Sequence, residues 1–313
     1  MQKHFKKYPS IAILMCTYNG EKYLEEQLDS IEKQDYINWT LYVSDDGSKD
    51  KTLAILNRYK KRWGKNKIHI FKGPKVNFQT NFLSLINHKK INKDFYFLSD
   101  QDDIWMPHKI THTLLRIRKY NPKKPFLYCA RTTYISHDNS KILGKSELFQ
   151  KPASFKNAIV QSIAGGNTMC FNASLKKISQ EFSYKEIVSH DWWLYILNEL
   201  SGGKTFYDRE STILYRQHPG SLIGNNTTFL AKIKRLVMLI RGTYRHYNSL
   251  HLKALSEMSI PTNLKNDVLI SQFDLYRDAN LIKRMKMIRT LGIYRQTWDT
   301  QLGLYLGALL HKL

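Results

Sequence analysis

This 313-residue chain is organised around the stretch FYFLSDQDDIW, from Phe95 to Trp105. The first four residues of this stretch form a short apolar run, which is typical of a strand buried on both faces. Carboxylates then follow at Asp100, Asp102 and Asp103. Parallel sheets bind their ligands at the carboxyl ends of the strands. The stretch therefore predicts a buried parallel strand that ends at a polar site.

The crowded carboxylates have two interpretations. Like charges repel, and a divalent cation such as Mg²⁺ or Mn²⁺ removes that repulsion because it takes carboxylate oxygens as ligands. The alternative is a solvated acidic turn that caps a helix starting near Pro107. We favour the metal site because the cluster directly follows a buried strand and is closed by Trp105.

Strand and helix patterns alternate before this stretch. Apolar runs predict strands at residues 10–16, 39–43 and 68–71, and amphipathic patterns predict helices at 21–34, 51–61 and 78–88. This alternation predicts a parallel sheet with helices on both faces, so residues 10–105 are interpreted as a nucleotide-binding half. Beyond it we expect helices at 107–120 and 192–200 and strands at 126–135, 168–171 and 211–217.

The net charge of +23 requires an anionic partner, namely nucleic acid, an anionic membrane surface or a polyanionic substrate. Residues 226–313 carry 14 Lys and Arg against 5 Asp and Glu, on patterns that predict basic amphipathic helices at 230–240 and 281–291. Such helices bind membrane interfaces, and ordinary core helices with a solvated basic face are the alternative. We expect no membrane span and no signal peptide, since the apolar runs are too short.

Two further patterns limit the chemistry. The three cysteines, Cys16, Cys129 and Cys170, show neither a disulfide framework nor zinc spacing, which indicates a reducing compartment. Neither a G-x-G-x-x-G nor a Walker phosphate loop is present. If a nucleoside diphosphate binds, a metal at Asp102 must therefore hold its phosphates.

Three segments follow one another in a fixed order: CTYNG at residues 16–20, SDDGS at 44–48 and SDQDD at 99–103. Together they resemble the family-2 glycosyltransferases, over residues 10–220. The resemblance implies inverting transfer on a GT-A fold, an α/β architecture with a Rossmann-like, mostly parallel sheet flanked by helices and a C-terminal helical extension. The SDQDDIW segment and the YRQH segment at 215–218 look closest to bacterial rhamnosyltransferases of polysaccharide assembly.

The resemblance implies a division into domains and roles for single residues. The glycosyltransferase domain would span residues 1–225, with its nucleotide half at 10–105 and its acceptor half at 106–225, and the basic helical region would span 226–313. Asp191 would be the catalytic base. In the family an acidic residue usually precedes this aspartate, whereas here His190 does. The donor nucleotide would be held by Thr17, Tyr18, Asn19, Asp45, Asp46, Asp100 and Arg216. The metal would be held by Asp102, Asp103 and His218. The acceptor would meet Gly166, Asn167, His190 and Trp192.

The implied reaction is metal-dependent transfer of one sugar, such as rhamnose, from a dTDP- or UDP-sugar. No Gln-x-x-Arg-Trp motif of processive synthases is present. The implied acceptor is a hydroxyl of a saccharide or lipid-linked saccharide in bacterial capsule or O-antigen synthesis. We expect a cytoplasmic protein, peripheral at the inner face of the membrane, with no nucleic acid partner and with oligomers formed through the C-terminal helices.

Other functions stay open at this point. A basic nucleic-acid-binding protein accounts for the charge but leaves the acidic strand ends unexplained, since they repel phosphate. A nucleotidyltransferase on a related fold would need a glycine-rich phosphate segment near the first strand, where this chain has Thr17-Tyr18-Asn19-Gly20. A catalytically inert scaffold on the same fold is a third alternative.

Overall fold

The computed structural model describes residues 8–181, 186–218, 229–258 and 264–313, without the side chains of residues 229, 230 and 264. Within these ranges the strands are β1 (Ile11–Thr17), β2 (Trp39–Asp45), β3 (Ile68–Lys72), β4 (Phe95–Ser99), β5 (Ile104–Trp105), β6 (Phe126–Ala130), β7 (Thr133–Ile135), β8 (Ile142–Lys145), β9 (Cys170–Asn172), β10 (Lys204–Asp208) and β11 (Ile213–Arg216). The helices are α1 (Leu24–Glu32), α2 (Thr52–Trp63), α3 (Phe78–Ile86), α4 (Lys109–Ile117), α5 (Phe155–Ala158), α6 (Ala173–Gln180), α7 (His190–Leu200), α8 (Phe229–Ile240), α9 (Thr243–Ser256), α10 (Leu264–Arg277), α11 (Leu281–Leu291) and α12 (Trp298–Leu309), with a 3₁₀ turn at Gly166–Thr168.

The strands form two sheets. The main sheet has seven strands in the order β10-β6-β9-β4-β1-β2-β3. β1 pairs in parallel with β2 and β4, while β9 runs antiparallel to β4 and β6. A second sheet of four strands has the order β5-β11-β7-β8. The α/β fold with a mostly parallel sheet and a helical C-terminal region, predicted from the sequence, is confirmed.

Both faces of the main sheet are covered, as the continuous apolar runs predict. Side chains alternate along β1, so Ile11 and Ile13 face one side and Ala12 and Leu14 the other, all fully buried. The first side packs against α1, α2 and α4, and the second against α3 and α7. The carboxyl ends of β1, β2 and β4 consequently meet at one edge of the sheet.

Helix α7 lies in the centre of the second layer. Ten of its 11 residues are buried, and it packs against α3, α5, α6, β6 and β10. A helix that is apolar all round must be enclosed by protein. The burial therefore holds its first turn, which carries His190 and Asp191, in a fixed place.

One predicted strand is divided in two. The run at residues 126–135 forms β6 in the main sheet and β7 in the second sheet. Between them the backbone N–H of Arg131 donates to the carbonyl of Asp208, and its side chain donates to the carbonyl of Ser146. These bonds turn the chain away from the main sheet, and no pattern in the run itself reveals them.

Several of the C-terminal helices pack into the same hydrophobic core as α7. Leu252 and Phe273, from α9 and α10, belong to the same buried cluster as α7. Met287, Ile288 and Leu291 of α11 are also buried there, which favours the core-helix alternative for most of residues 281–291. The predicted domain boundary at residues 225–226 lies outside the described residues. None of the helices in the described ranges is long and apolar enough to cross a bilayer.

Candidate active site

The carboxyl ends of β1 and β2 are joined through Asp45. Thr17 lies opposite Asp45 in the parallel register and donates from Oγ1 to Asp45 Oδ1 over 2.9 Å. The Asp45 carboxylate also accepts from the Ser48 hydroxyl at 2.6 Å, from the Ser48 backbone N–H at 2.9 Å and from the Gly47 N–H at 3.2 Å. Asp45 is 5% exposed, and through these bonds its carboxylate shapes the turn. Thr17 and Asp45 thus hold the loop after β1 to the loop after β2, and their assignment as nucleotide ligands stays a prediction.

Asp46 faces the open side of the same turn. Its Oδ1 accepts from the backbone N–H of Lys75 at 2.6 Å, and the residue is only half-buried. A Cβ at Gly73 would lie 2.6 Å from that oxygen, so a glycine is needed for this close approach. The side chain of Lys75 passes over Gly47. Of the two adjacent aspartates, Asp46 is therefore the one that a ligand can reach.

The loop after β1 is clamped to the loop after β4 by Gln101. Its Oε1 accepts from the Tyr18 N–H at 2.9 Å, and its Nε2 donates to the Tyr18 carbonyl at 3.0 Å. The ring of Tyr18 is 56% exposed beside this clamp. Asn19 adopts a φ of 47° and binds the next loop through its side chain, accepting from the Lys49 N–H at 2.9 Å. Asn19 thus positions the loops and is exposed, and its assignment as a nucleotide ligand stays a prediction.

The three carboxylates after β4 have different environments. Asp103 is fully buried, and its two oxygens accept from Asn167 Nδ2 at 2.7 Å and from the Arg216 N–H at 3.3 Å. Asp100 is half-buried, and burial together with the charges of Asp102 and Asp191 raises the pKa of its carboxyl well above its usual range. Asp103 therefore serves the fold, which corrects its assignment as a metal ligand.

Asp102 meets His218 at the mouth of the site. His218 Nε2 lies 2.8 Å from Asp102 Oδ2, and the two side chains are 15% and 20% exposed. The His218 ring is 5.0 Å from the ring of Tyr23, measured between centroids. An imidazole nitrogen and a carboxylate oxygen are ligands of Mn²⁺-type ions, which often take their other ligands from substrate phosphates and water. The donor set therefore fits a divalent cation, although the described residues contain no group of three or more His, Cys, Asp or Glu that could hold one alone.

Arg216 supports this pair from beneath and is 1% exposed. Its Nε donates to the Asp102 carbonyl at 2.9 Å and its Nη1 to the His137 carbonyl at 2.6 Å. Its Nη2 donates to the Glu26 carboxylate at 2.8 Å, and the guanidinium stacks 4.6 Å from the ring of Tyr23. The guanidinium therefore has protein partners on several sides and lies beneath the surface, which corrects the expectation that it contacts the diphosphate.

We expect Arg216→Lys to destabilise the protein by about 1–3 kcal/mol for each carbonyl that loses its donor. The lysine ammonium cannot reproduce the planar array of N–H donors on the guanidinium. Chemical denaturation measures the change. The exposed Arg209→Lys is the matched control, and equal stability of the two variants would contradict the supporting role of Arg216.

The other wall of the site is formed by the first turn of α7 and by Gly166. The Asp191 carboxylate accepts from the Trp192 N–H at 2.7 Å and contributes to the raised pKa of Asp100, so the two carboxylates lie within electrostatic range. A Cβ at Gly166 would lie 2.6 Å from His190 Nε2 and 3.5 Å from Asp191 Cβ. Gly166 is therefore needed for the close approach of this loop to the start of α7.

His190 is buried beside Asp191. Its ring stacks on Phe82 at a centroid distance of 4.0 Å, and burial lowers its pKa to about 4. Neither ring nitrogen has a hydrogen-bond partner among the described residues. Burial of the imidazole thus disfavours its charged form, and both of its nitrogens are buried.

The side chains of two predicted acceptor residues, Asn167 and Trp192, make hydrogen bonds within the protein. Asn167 donates to Asp103, and its carbonyl accepts from the buried Lys109 Nζ at 3.2 Å. The Trp192 indole donates to the Ala158 carbonyl at 2.7 Å, and its ring packs edge-on against His251 of α9 at 4.6 Å. Both side chains stabilise the fold through these bonds, and their contact with an acceptor stays a prediction.

We expect Trp192→Ala to lower the free energy of unfolding by about 3–5 kcal/mol, because it leaves a cavity between α7 and α9. Trp298→Ala is the control, since that side chain is 76% exposed, and we expect a change within about 0.5 kcal/mol. Thermal and denaturant unfolding compare the two. A similar loss in both variants would show that Trp192 does not join α9 to the sheet domain.

Several contributors were missed from the sequence. Gln101 clamps two loops, Tyr23 lies under His218, and Lys109 is buried next to Asp103 with its pKa lowered to about 8 by burial. A signal existed for Lys109, because it lies on the buried face of α4 with Ile110 and Leu114. A lysine on such a face needs a buried partner.

Comparisons with known proteins identify the family of the chain. The model of the family described as Glycosyl transferase family 2 matches residues 12–179. The dTDP-rhamnosyl transferase RfbG of Shigella flexneri is 31% identical over 262 residues, which cover 80% of this chain and 87% of that protein. The UDP-Glc:alpha-D-GlcNAc-diphosphoundecaprenol beta-1,3-glucosyltransferase WfgD of Escherichia coli is 25% identical over 194 residues, covering 59% and 68% of the two chains.

Solved structures show the same fold. Residues 1–349 of S. aureus TarS, in complex with UDP-GlcNAc, align with a TM-score of 0.56 at 15% identity and cover 96% of this chain and 89% of that one. The mannosyltransferase PcManGT from Pyrobaculum calidifontis, in complex with GDP-Man and Mn²⁺, aligns with a TM-score of 0.53 at 14% identity, covering 98% and 88%. At these identities the likeness concerns the GT-A fold alone.

Proposed function

This chain belongs to glycosyl transferase family 2, and we propose that it transfers one rhamnose from a dTDP-linked donor to a hydroxyl of a saccharide acceptor. The acceptor is a free or lipid-linked saccharide of bacterial surface-polysaccharide synthesis. The choice of donor is supported by the name of the relative that is 31% identical over most of both chains. The observation that carries the proposal is the Asp102–His218 contact, which lies in one site with Asp100 and Asp191.

In this proposal the donor nucleoside lies over the carboxyl ends of β1 and β2. Tyr18 offers an exposed ring for stacking, and Asp46 offers an accessible carboxylate for a base N–H or a ribose hydroxyl. Lys75, which lies over the turn next to Asp46, provides positive charge towards the phosphates. Asp100 lies below the ribose, at the end of β4.

Asp102 and His218 would hold a divalent cation together with the donor diphosphate. When bound, the cation stabilises the negative charge that develops on the leaving diphosphate. Arg216 and Tyr23 hold the two ligands in place from beneath. Burial, and after it the charges of Asp102 and Asp191, raises the pKa of Asp100, and a cation would relieve the repulsion among these carboxylates.

Asp191 is the general base in this proposal. The acceptor oxygen forms a bond to the anomeric carbon while its proton passes to the Asp191 carboxylate. The bond from that carbon to the diphosphate oxygen breaks, and its electron pair leaves with the nucleoside diphosphate. Attack from the face opposite the leaving group inverts the anomeric centre. Gly166 and the first turn of α7 line the acceptor side.

We further propose that residues 1–225 form the transferase domain and residues 226–313 a helical extension. The nucleotide half, residues 10–105, contributes Tyr18, Asp46 and Asp102, and the acceptor half, residues 106–225, contributes Gly166 and Asp191. What supports this division is that the site is formed by elements that precede α8, while α9–α11 add to the core behind α7.

A donor screen tests the proposal. With Mn²⁺, dTDP-rhamnose is expected to raise the melting temperature more than UDP-glucose, UDP-GlcNAc or GDP-mannose, since a ligand that binds the native state stabilises it by mass action. Omitting the metal should remove most of the shift. A larger rise in melting temperature with another nucleotide sugar would identify that sugar as the donor instead. No rise with any of them would contradict donor binding at this site.

A further inference from the structure

Helix α8 leaves an apolar stripe uncovered. Ile233, Leu236, Val237 and Ile240 follow the helical repeat and are 44%, 47%, 39% and 55% exposed. Such a stripe on a helix normally faces a protein core. Contiguous exposed apolar surface of this kind marks an interaction site.

The stripe continues onto α12 across a groove. The groove encloses about 460 Å³ and lies between α8, α11 and α12, with Leu236, Leu302 and Leu309 among its lining residues. Leu302 is 47% exposed, and Trp298 at the start of α12 is 76% exposed. We call the four stripe residues together with Trp298 and Leu302 the α8–α12 face.

The rim of this face is basic. Lys232 and Arg235 lie at the groove, with nitrogens 3.9 and 4.0 Å from the Asp299 carboxylate. Neither α8 nor α11 contains an acidic residue. The basic residues of the two helices are Lys232, Lys234, Arg235, Lys283, Arg284, Lys286 and Arg289. An occupant of this face must therefore be apolar in the middle and negatively charged around it.

We propose that the α8–α12 face docks the protein on an anionic lipid bilayer. The apolar stripe enters the boundary between headgroups and acyl chains, and the basic rim pairs with lipid phosphates, which is how amphipathic helices bind interfaces. Trp298 fits the headgroup level, where amphipathic rings are enriched. This docking is independent of sugar transfer, since none of the proposed donor, metal or base residues belongs to the face.

A second copy of the chain fits the face less well. A two-fold interface would place the same patch on both sides, so the lysines and arginines of one rim would oppose those of the other. The chain carries a net charge of +23, which adds repulsion at longer range. Lipid phosphates provide the charge opposite to that of these lysines and arginines.

Vesicle co-sedimentation of the full chain tests the proposal. We expect binding to vesicles of phosphatidylglycerol and phosphatidylcholine, little binding to phosphatidylcholine alone, and weakening in 1 M salt, where the Debye length is about 3 Å. Leu236→Gln with Val237→Gln should abolish the binding that survives high salt. Lys232→Glu with Lys234→Glu should lower partitioning by about fivefold or more for each residue changed.

The matched control is Lys61→Glu with Lys65→Glu, which makes the same charge change at exposed lysines at and after the C-terminal end of α2. We expect this variant to keep most of its binding. Equal losses in the two charge variants, binding that ignores lipid charge, or no binding by the parent protein would overturn the proposal. So would a dimer in sedimentation velocity that Leu236→Gln dissociates. Donor-induced thermal stabilisation, measured on each variant, verifies folding and reports separately on the transferase site.

Discussion

Replacing Asp191 with asparagine is expected to lower kcat by about 10²–10⁴-fold, because a positioned general base contributes that much to a proton-transfer step. Asparagine preserves the shape of the side chain and can still accept from the Trp192 N–H, so α7 should begin unchanged. The affinity for the donor should also stay unchanged, because the proposed role concerns only the acceptor hydroxyl. Steady-state kinetics with the true acceptor, combined with calorimetric titration of the donor, measure both quantities.

Asp299→Asn is the matched control for this substitution. Asp299 also lies in the first turn of a helix, α12, but borders the C-terminal groove instead of the proposed active site. We expect near-parental turnover from it in a soluble assay. If Asp191→Asn stays within a few-fold of the parent, Asp191 is not the base, and the proton must go to another group.

Replacing Asp102 with alanine is expected to abolish metal-dependent binding of the donor. The substitution removes the oxygen that lies 2.8 Å from His218 Nε2, and one imidazole alone is a weak site for an ion of this type. The side chain is partly exposed and its backbone carbonyl keeps the bond from Arg216, so the fold should persist. Calorimetric titration with dTDP and Mn²⁺, repeated without the metal, provides the measurement.

Asp35→Ala serves as the control for the loss of a carboxylate. Asp35 is exposed and precedes β2, at the opposite end of the strands from the proposed metal site. Its variant should bind dTDP with Mn²⁺ as the parent does. Unchanged metal-dependent affinity in Asp102→Ala would remove the metal role from this residue, and equal losses in both variants would indicate an effect on folding.

The sequence alone predicted most of the nucleotide half. The apolar runs now seen as β1, β2 and β4 are long enough and apolar enough to be buried whatever surrounds them, so their local pattern identifies them. Because these strands are parallel and adjacent, the polar segments that follow each of them had to meet at one edge. The family resemblance followed from the order of the same segments, and the matches to known proteins confirm it.

The burial and pairing of the candidate residues, in contrast, depend on the tertiary structure. In the sequence Asp100, Asp102 and Asp103 look alike, and Arg216 and His218 both look suited to a diphosphate. The structure buries Asp103 and Arg216 through partners 64 and 114 residues away, and it leaves Asp102 in contact with His218 across 116 residues. The burial of a charged side chain depends on such distant partners, because they supply the hydrogen bonds that replace water. Local patterns place residues along strands and helices, whereas accessibility and pairing depend on contacts formed only when the chain has folded.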